Sequence, residues 1–168
     1  EIKIKKLKKK NKRVKAVIVT DYAGHPADWK SLSYLSKKYG FFLINDHCHS
    51  IGATYKNKKN YALKYADVAT LSFHPVKGIT SGEGGAVLTQ NRKIYEKINL
   101  LRNHGMQKNK KILKDNGLWF YKMIELGYNY RITDIQCALG MSQLKKINKF
   151  LKKRRKVAKI YNDLFANN

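Results

Sequence analysis

The chain has 168 residues, 43% of them hydrophobic, enough for one ordinary domain with a core and too apolar for wholesale disorder. Its 36 basic residues against 11 acidic ones give a formal charge of +25, a balance that favours nucleic acid, anionic membrane or phosphorylated small molecules as partners. No apolar run reaches membrane-spanning length, no signal-peptide core opens the chain, and Cys48 and Cys137 form neither a CxxC nor a zinc-like spacing, so a soluble, reduced, cytoplasmic protein with no metal centre is expected.

In chain order, a lysine-rich helical start leads into Val14 to Thr20, which reads as a buried strand ending in the polar turn Asp21 to Pro26. Asp28 caps a helix running to about Tyr39, with Gly40 as its stop signal. Phe41 to Ile44 is a second strand, with Asn45 and Asp46 at its carboxyl end. Ala66 to Phe73 and Gly85 to Thr89 read as two more strands, and a helix follows from Arg92 to Leu101. Residues 103–130 are irregular, a length of loop that often carries function or meets a partner. Thr133 then caps an amphipathic helix from Asp134 to Ile147, and a strongly basic helix runs from about Leu151 to the end. Strand, helix and strand in this order imply an α/β sheet with parallel members, whose ligands sit beyond the carboxyl ends of its strands.

The basic excess gathers in three runs, Lys3 to Lys15, Lys108 to Lys114 and Lys145 to Lys159. These lack the interleaved aromatics of a single-strand binding surface, so they read first as solvated helix faces. Lys77 is different. It follows the apolar run Ala66 to Phe73 and precedes Gly82, Gly84 and Gly85, in a loop where a ligand could approach the backbone closely. Partial desolvation there would favour the neutral amine, which can attack a carbonyl to form a Schiff base; a plain surface lysine is the alternative. Asp46 lies at the end of the neighbouring strand, and His49 is three residues further on. A carboxylate that keeps a pyridine nitrogen protonated, together with a lysine that holds the ring as an imine, is the minimum equipment for pyridoxal phosphate chemistry.

Five segments carry a family resemblance, in family order: Asn45 to Ala53 (NDHCHSIGA), Ser72 to Lys77 (SFHPVK), Gly82 to Gly85 (GEGG), Arg102 to Gly105 (RNHG) and Gly127 to Arg131 (GYNYR). On these segments the chain resembles the DegT/DnrJ/EryC1/StrS nucleotide-sugar aminotransferases, and Phe73 to Gly85 and Glu125 to Gln136 look closest to the branch working in pseudaminic acid biosynthesis. The resemblance implies the large domain of a pyridoxal-phosphate-dependent, fold type I, aspartate-aminotransferase-like enzyme, incomplete here. Residues 1–150 would be part of that cofactor-binding domain, and residues 151–168 a helix leading toward a small C-terminal domain. The family's glycine-threonine phosphate loop and ring-stacking aromatic would lie before residue 1.

The resemblance also assigns roles. Lys77 would be the catalytic lysine carrying the cofactor, Asp46 the partner of the pyridine nitrogen, His49 a neighbour of the phenolic oxygen and Ser72 a phosphate ligand. Asn129 would reach the phosphate of a neighbouring subunit, which implies a homodimer. His74 and Arg131 are further candidates for substrate contact. Gly82, Gly84 and Gly85 would serve turn geometry, and His47 and Cys48 would be packing neighbours. The implied reaction moves an amino group, with glutamate as donor, to a UDP-linked 4-keto-6-deoxy sugar. The other readings are a related sugar dehydratase, against which the intact Lys77 argues, a basic nucleic-acid-binding fragment, and an inactive truncated remnant.

Overall fold

A computed structural model describes residues 1–107, 114, 117 and 119–166. Most of the expected Lys108 to Lys114 run lies outside the described residues. Two compact units divide the chain: residues 1–88 with 134–168, and residues 89–133.

The first unit is built on a sheet. Helix α1 (Ile2–Lys9) precedes β1 (Ala16–Thr20); α2 (Trp29–Tyr39) leads to β2 (Phe42–Asp46); the short α3 (Ala62–Tyr65) leads to β3 (Val68–Ser72), and β4 (Gly85–Thr89) completes the order β1-β2-β3-β4. Strands β1 and β2 are parallel, as are β2 and β3. The parallel α/β sheet expected from the sequence is therefore present. Strand β4 spans the expected residues, while β1, β2 and β3 differ from their apolar runs by a residue or two at one or both ends, because hydrogen bonding rather than hydrophobicity sets those ends. Thus β2 extends through Asp46, paired with Thr20 on one side and Thr70 on the other.

Helix α2 forms where its caps demand. The Asp28 carboxylate accepts from the Ser31 amide at 3.4 Å, satisfying one of the orphan donors of the first turn. Gly40 closes the helix at φ 67° with its N–H on the Ser36 carbonyl, a left-handed cap that glycine takes without steric cost. The helix packs on β2 and α3, and Trp29, Phe41, Leu43, Tyr61 and Ala66 form the buried core. On β2 the burial alternates: Leu43 and Asn45 are buried, while Phe42, Ile44 and Asp46 are half-buried on the other face. The period of two thus turns Asp46 away from the core.

Two long helices close this unit, α5 (Asp134–Lys145) and α6 (Ile147–Phe165). The expected amphipathicity of α5 is not realised: Ile135, Leu139, Met141 and Leu144 are all exposed and the helix buries no residue. Helix α6 begins at Ile147, four residues before the expected start.

In the second unit α4 (Arg92–Leu101), capped by Asn91, packs on β5 (Met106–Gln107), which pairs antiparallel with β6 (Lys122–Met123). This small ribbon lies inside the stretch that reads as irregular, since two-residue strands leave no periodicity to detect.

Candidate active site

Three parallel strands deliver their carboxyl ends to one edge of the sheet. Thr20 ends β1, Asp46 ends β2 and Ser72 ends β3, with neighbouring strands only about 4.8 Å apart. The Asp46 carboxylate accepts from the Thr20 hydroxyl at 3.1 Å and from the Cys48 amide at 3.2 Å. The Cys48 side chain, its amide and Thr20 together hold the Asp46 carboxyl below its ordinary value, against an opposing push from burial. An ionised carboxylate is what a pyridinium partner requires.

Lys77 rides on a loop tied at its neck. The Phe73 amide donates to the Gly84 carbonyl at 2.8 Å, while the Ser81 amide and the Thr80 hydroxyl both donate to the Phe73 carbonyl. Gly82 and Gly84 adopt φ of 83° and 133°, so they serve turn geometry. Gly85 runs against the Leu71 carbonyl, where any side chain would collide. Ile79 and Ser81 are buried beneath the loop. The Lys77 side chain is half-buried, less sealed than the flanking apolar run predicts, because His74, Pro75 and Val76 before it are exposed. Helix α6 holds the same loop from outside: Arg154 Nη2 donates to the Lys77 carbonyl at 3.0 Å. A cleft of about 320 Å³ lined by Lys77, Thr80, Gln143, Lys153 and Arg154 lies there.

The lysine loop meets the turn after β2. Gly78 abuts the Ile51 side chain so closely that a Cβ would overlap it. Cys48 Sγ lies 3.7 Å from the Thr70 carbonyl. Burial and the Asp46 carboxylate push the Cys48 thiol up, and the Lys77 ammonium is near enough to pull it back down. Cys48 thus stands between Asp46 at the end of β2 and Thr70 on β3, the strand that leads into the lysine loop.

The other candidates are placed as follows. Ser72 Oγ accepts from the His74 amide at 3.4 Å, which leaves the hydroxyl proton able to donate. His74 is exposed; its Nδ1 accepts from the Val76 amide, and its Nε2 lies 3.9 Å from Glu83. His49 is exposed, and its Nδ1 accepts from the Ala23 amide at 3.3 Å. Asn129 and Arg131 belong to the second unit. There Asn129 bridges to Asn103, whose side-chain oxygen accepts from Arg131 at 3.0 Å. Among the described residues no cluster of three or more His, Cys, Asp or Glu side chains could hold a metal ion. No described helix is long and apolar enough to cross a membrane.

Asp21 and Arg154 do not stand out in the sequence. Asp21 is completely buried and gathers five donors. The signal available for it is the one that marks Asp46, a carboxylate directly after an apolar strand.

A carboxylate and a hydroxyl at adjoining strand ends of a parallel α/β sheet, with an amine on the loop that follows, fit pyridoxal phosphate by donor chemistry. The fold is that of the fold type I aminotransferases, of which the chain covers a part. It belongs to the DegT/DnrJ/EryC1/StrS aminotransferase family, whose model matches residues 1–168.

A Campylobacter jejuni UDP-4-amino-4,6-dideoxy-N-acetyl-beta-L-altrosamine transaminase is 44% identical over 163 residues, 97% of this chain and 41% of that protein. The enzyme of the same name from Helicobacter pylori is 39% identical over 158 residues, 94% of this chain and 40% of that protein. The solved structure of Helicobacter pylori PseC, an aminotransferase involved in the biosynthesis of pseudoaminic acid, matches with a TM-score of 0.83 at 37% identity, over 92% of this chain and 39% of that one. A Streptococcus pneumoniae protein solved in its PLP-form matches with a TM-score of 0.75 at 26% identity, over 90% of this chain and 41% of that one. The chain thus spans 40–41% of the length of these curated relatives.

Proposed function

We propose that this chain carries the lysine half of a pyridoxal-phosphate-dependent transaminase that moves an amino group from glutamate to a UDP-linked 4-keto-6-deoxy sugar, in pseudaminic acid or surface polysaccharide biosynthesis. The observation that supports the reading is Asp46 at the carboxyl end of β2, paired in parallel with β3, whose own end leads into the loop that carries Lys77. The names of the relatives support the substrate class.

Pyridoxal phosphate, when bound, supplies an aldehyde and an electron-withdrawing ring that accept the amino group and delocalise the electron pair left on its carbon. The chain's own groups divide the remaining work. Lys77 Nζ would hold the cofactor and move the proton between carbon atoms as base and acid. Asp46 would keep the ring nitrogen protonated, Ser72 would donate to the phosphate, and His49 would sit beside the phenolic oxygen. His74 and Arg131 would contact substrate. Asn129 would act across a homodimer interface on the partner's phosphate. Residues 1–150 would form part of the cofactor-binding domain, with residues 151–168 leading toward a small C-terminal domain, in a cytoplasmic enzyme.

The test is covalent capture. The protein is incubated with pyridoxal phosphate, reduced with borohydride and digested, and the modified peptide is mapped by mass spectrometry. Modification of Lys77 at stoichiometry, lost in Lys77→Ala, is the expected result. Label spread over the many surface lysines, with Lys77→Ala indistinguishable from the parent, overturns the reading.

A further inference from the structure

His47 and His49 stand two residues apart on the turn that follows Asp46, and their surroundings demand opposite proton placements. The buried His47 has Nδ1 at 3.2 Å from Asp21 Oδ2 and 2.5 Å from Ser50 Oγ. An ionised carboxylate only accepts, so the contact with Asp21 is a hydrogen bond when His47 carries its proton on Nδ1. Serine and aspartate share that one ring nitrogen, and all three groups are sealed from solvent. The trio is therefore no nucleophilic relay, which would need oxygen and carboxylate on opposite ring nitrogens. His49 is the reverse case. Its Nδ1 accepts from the Ala23 amide, so a neutral His49 carries its proton on Nε2.

What brings the Ala23 amide to His49 is Asp21. Its Oδ1 accepts from the Ala27 amide at 2.9 Å and from Trp29 Nε1 at 2.8 Å; its backbone carbonyl accepts from the Gly24 amide at 3.1 Å. These bonds fix the turn of residues 22–24, in which Ala23 takes the left-handed φ of 52°. Oδ2 accepts from Tyr61 at 2.6 Å and faces His47 and Ser50, two residues before and one after His49. The Asp21 amide itself donates to the Asp46 carbonyl at 3.1 Å. The Asp21 carboxylate thus ties Ala27 and Trp29, just beyond the turn that carries Ala23, to His47 and Ser50 near His49, while the Asp21 backbone holds that turn and the strand end carrying Asp46. Burial pushes the Asp21 carboxyl up, but the hydrogen bonds from His47, Tyr61, the Ala27 amide and Trp29 outweigh it and hold the group at about 2.

We infer that Asp21 is a positioning residue that locks His49 in the Nε2–H tautomer, so that His49 presents a hydrogen-bond donor at the edge of the candidate site. The use of that donor, toward an oxygen of the bound cofactor, rests on the function proposed above; the lock does not, and it is tested without cofactor. Long-range nitrogen–proton NMR of the imidazoles at pH 7.5 reads both histidines in one spectrum. The expected pattern is a bare Nδ1 with a protonated Nε2 for His49, and a protonated Nδ1 for His47. In Asp21→Asn the His49 pattern should collapse to a mixture of tautomers.

A merely structural Asp21 would lower the melting temperature and leave the His49 pattern alone, and that outcome overturns the inference. So does a His49 already mixed, or protonated on Nδ1, in the parent protein. Should Asp21→Asn fail to fold, Ser50→Ala and Tyr61→Phe each remove one hydroxyl from Oδ2 and leave the carboxylate in place. A partial shift toward mixed tautomers in either supports the lock, and an unaltered pattern in both sinks it.

Discussion

A buried carboxylate with no lysine or arginine beside it is expensive unless its oxygens are saturated with donors. Asp21 meets that condition with an amide, an indole, a phenol, a hydroxyl and an imidazole. Because its folded value of about 2 lies below the ordinary 3.8, its stabilisation is fully present above about pH 4 and drains as pH falls through 4 toward 2. Urea midpoints of the parent and Asp21→Asn at pH 6 and pH 3 measure this. The parent should lose on the order of 1–2 kcal/mol more than the variant over that range; parallel losses would remove Asp21 as the acid-sensitive group. Asp46, Ser72 and Lys77 can be named from the sequence as candidates because each lies at or just beyond an apolar run, and a strand end is where α/β proteins place chemistry. Asp21 satisfies the same rule after Val14 to Thr20. It went unseen because its partners His47, Ser50 and Tyr61 lie 26 to 40 positions away, a separation no local pattern reports.

Elements were legible in proportion to their punctuation. Helix α2 has Asp28 before it and Gly40 after it, and both act as the sequence implies. Gly40→Ala should therefore destabilise the protein by roughly 1 kcal/mol, the cost of a Cβ in the left-handed region, read as a lower urea midpoint at unchanged slope. Space around the residue is open, so the penalty is conformational, and Gly40→Asn should recover part of it. A neutral Gly40→Ala would mean that the chain leaves α2 by another route. By contrast α5 carries apolar residues that the fold leaves exposed, and a burial pattern cannot be read where little is buried. The β5–β6 ribbon is too short to show a period, and its pairing joins residues 15 or 17 apart through the backbone.

At the scale of the molecule the charge decides. Eleven carboxylates cannot neutralise 36 cations, and several of the described ion pairs are exposed, such as Arg92–Glu96 and Lys5–Glu1, a class worth little in water. Helix α6 concentrates the excess: Lys149 and Lys153, Lys152 and Lys156, and Arg155 and Lys159 stand one turn apart as like-charged neighbours, each pair opposing the helix by roughly 0.2–0.5 kcal/mol. The helix matters to the candidate site, because its Arg154 holds the Lys77 carbonyl. Screening shortens the reach of these repulsions from about 10 Å at 0.1 M salt to about 3 Å at 1 M. Sodium chloride should therefore stabilise this protein: between about 0.02 and 0.5 M, screened across these lengths, the melting temperature and the helical ellipticity at 222 nm should rise together. If salt instead lowers both, attractive ion pairs outweigh the self-repulsion of the +25 charge, and α6 is held by contacts other than those that the lysine loop provides.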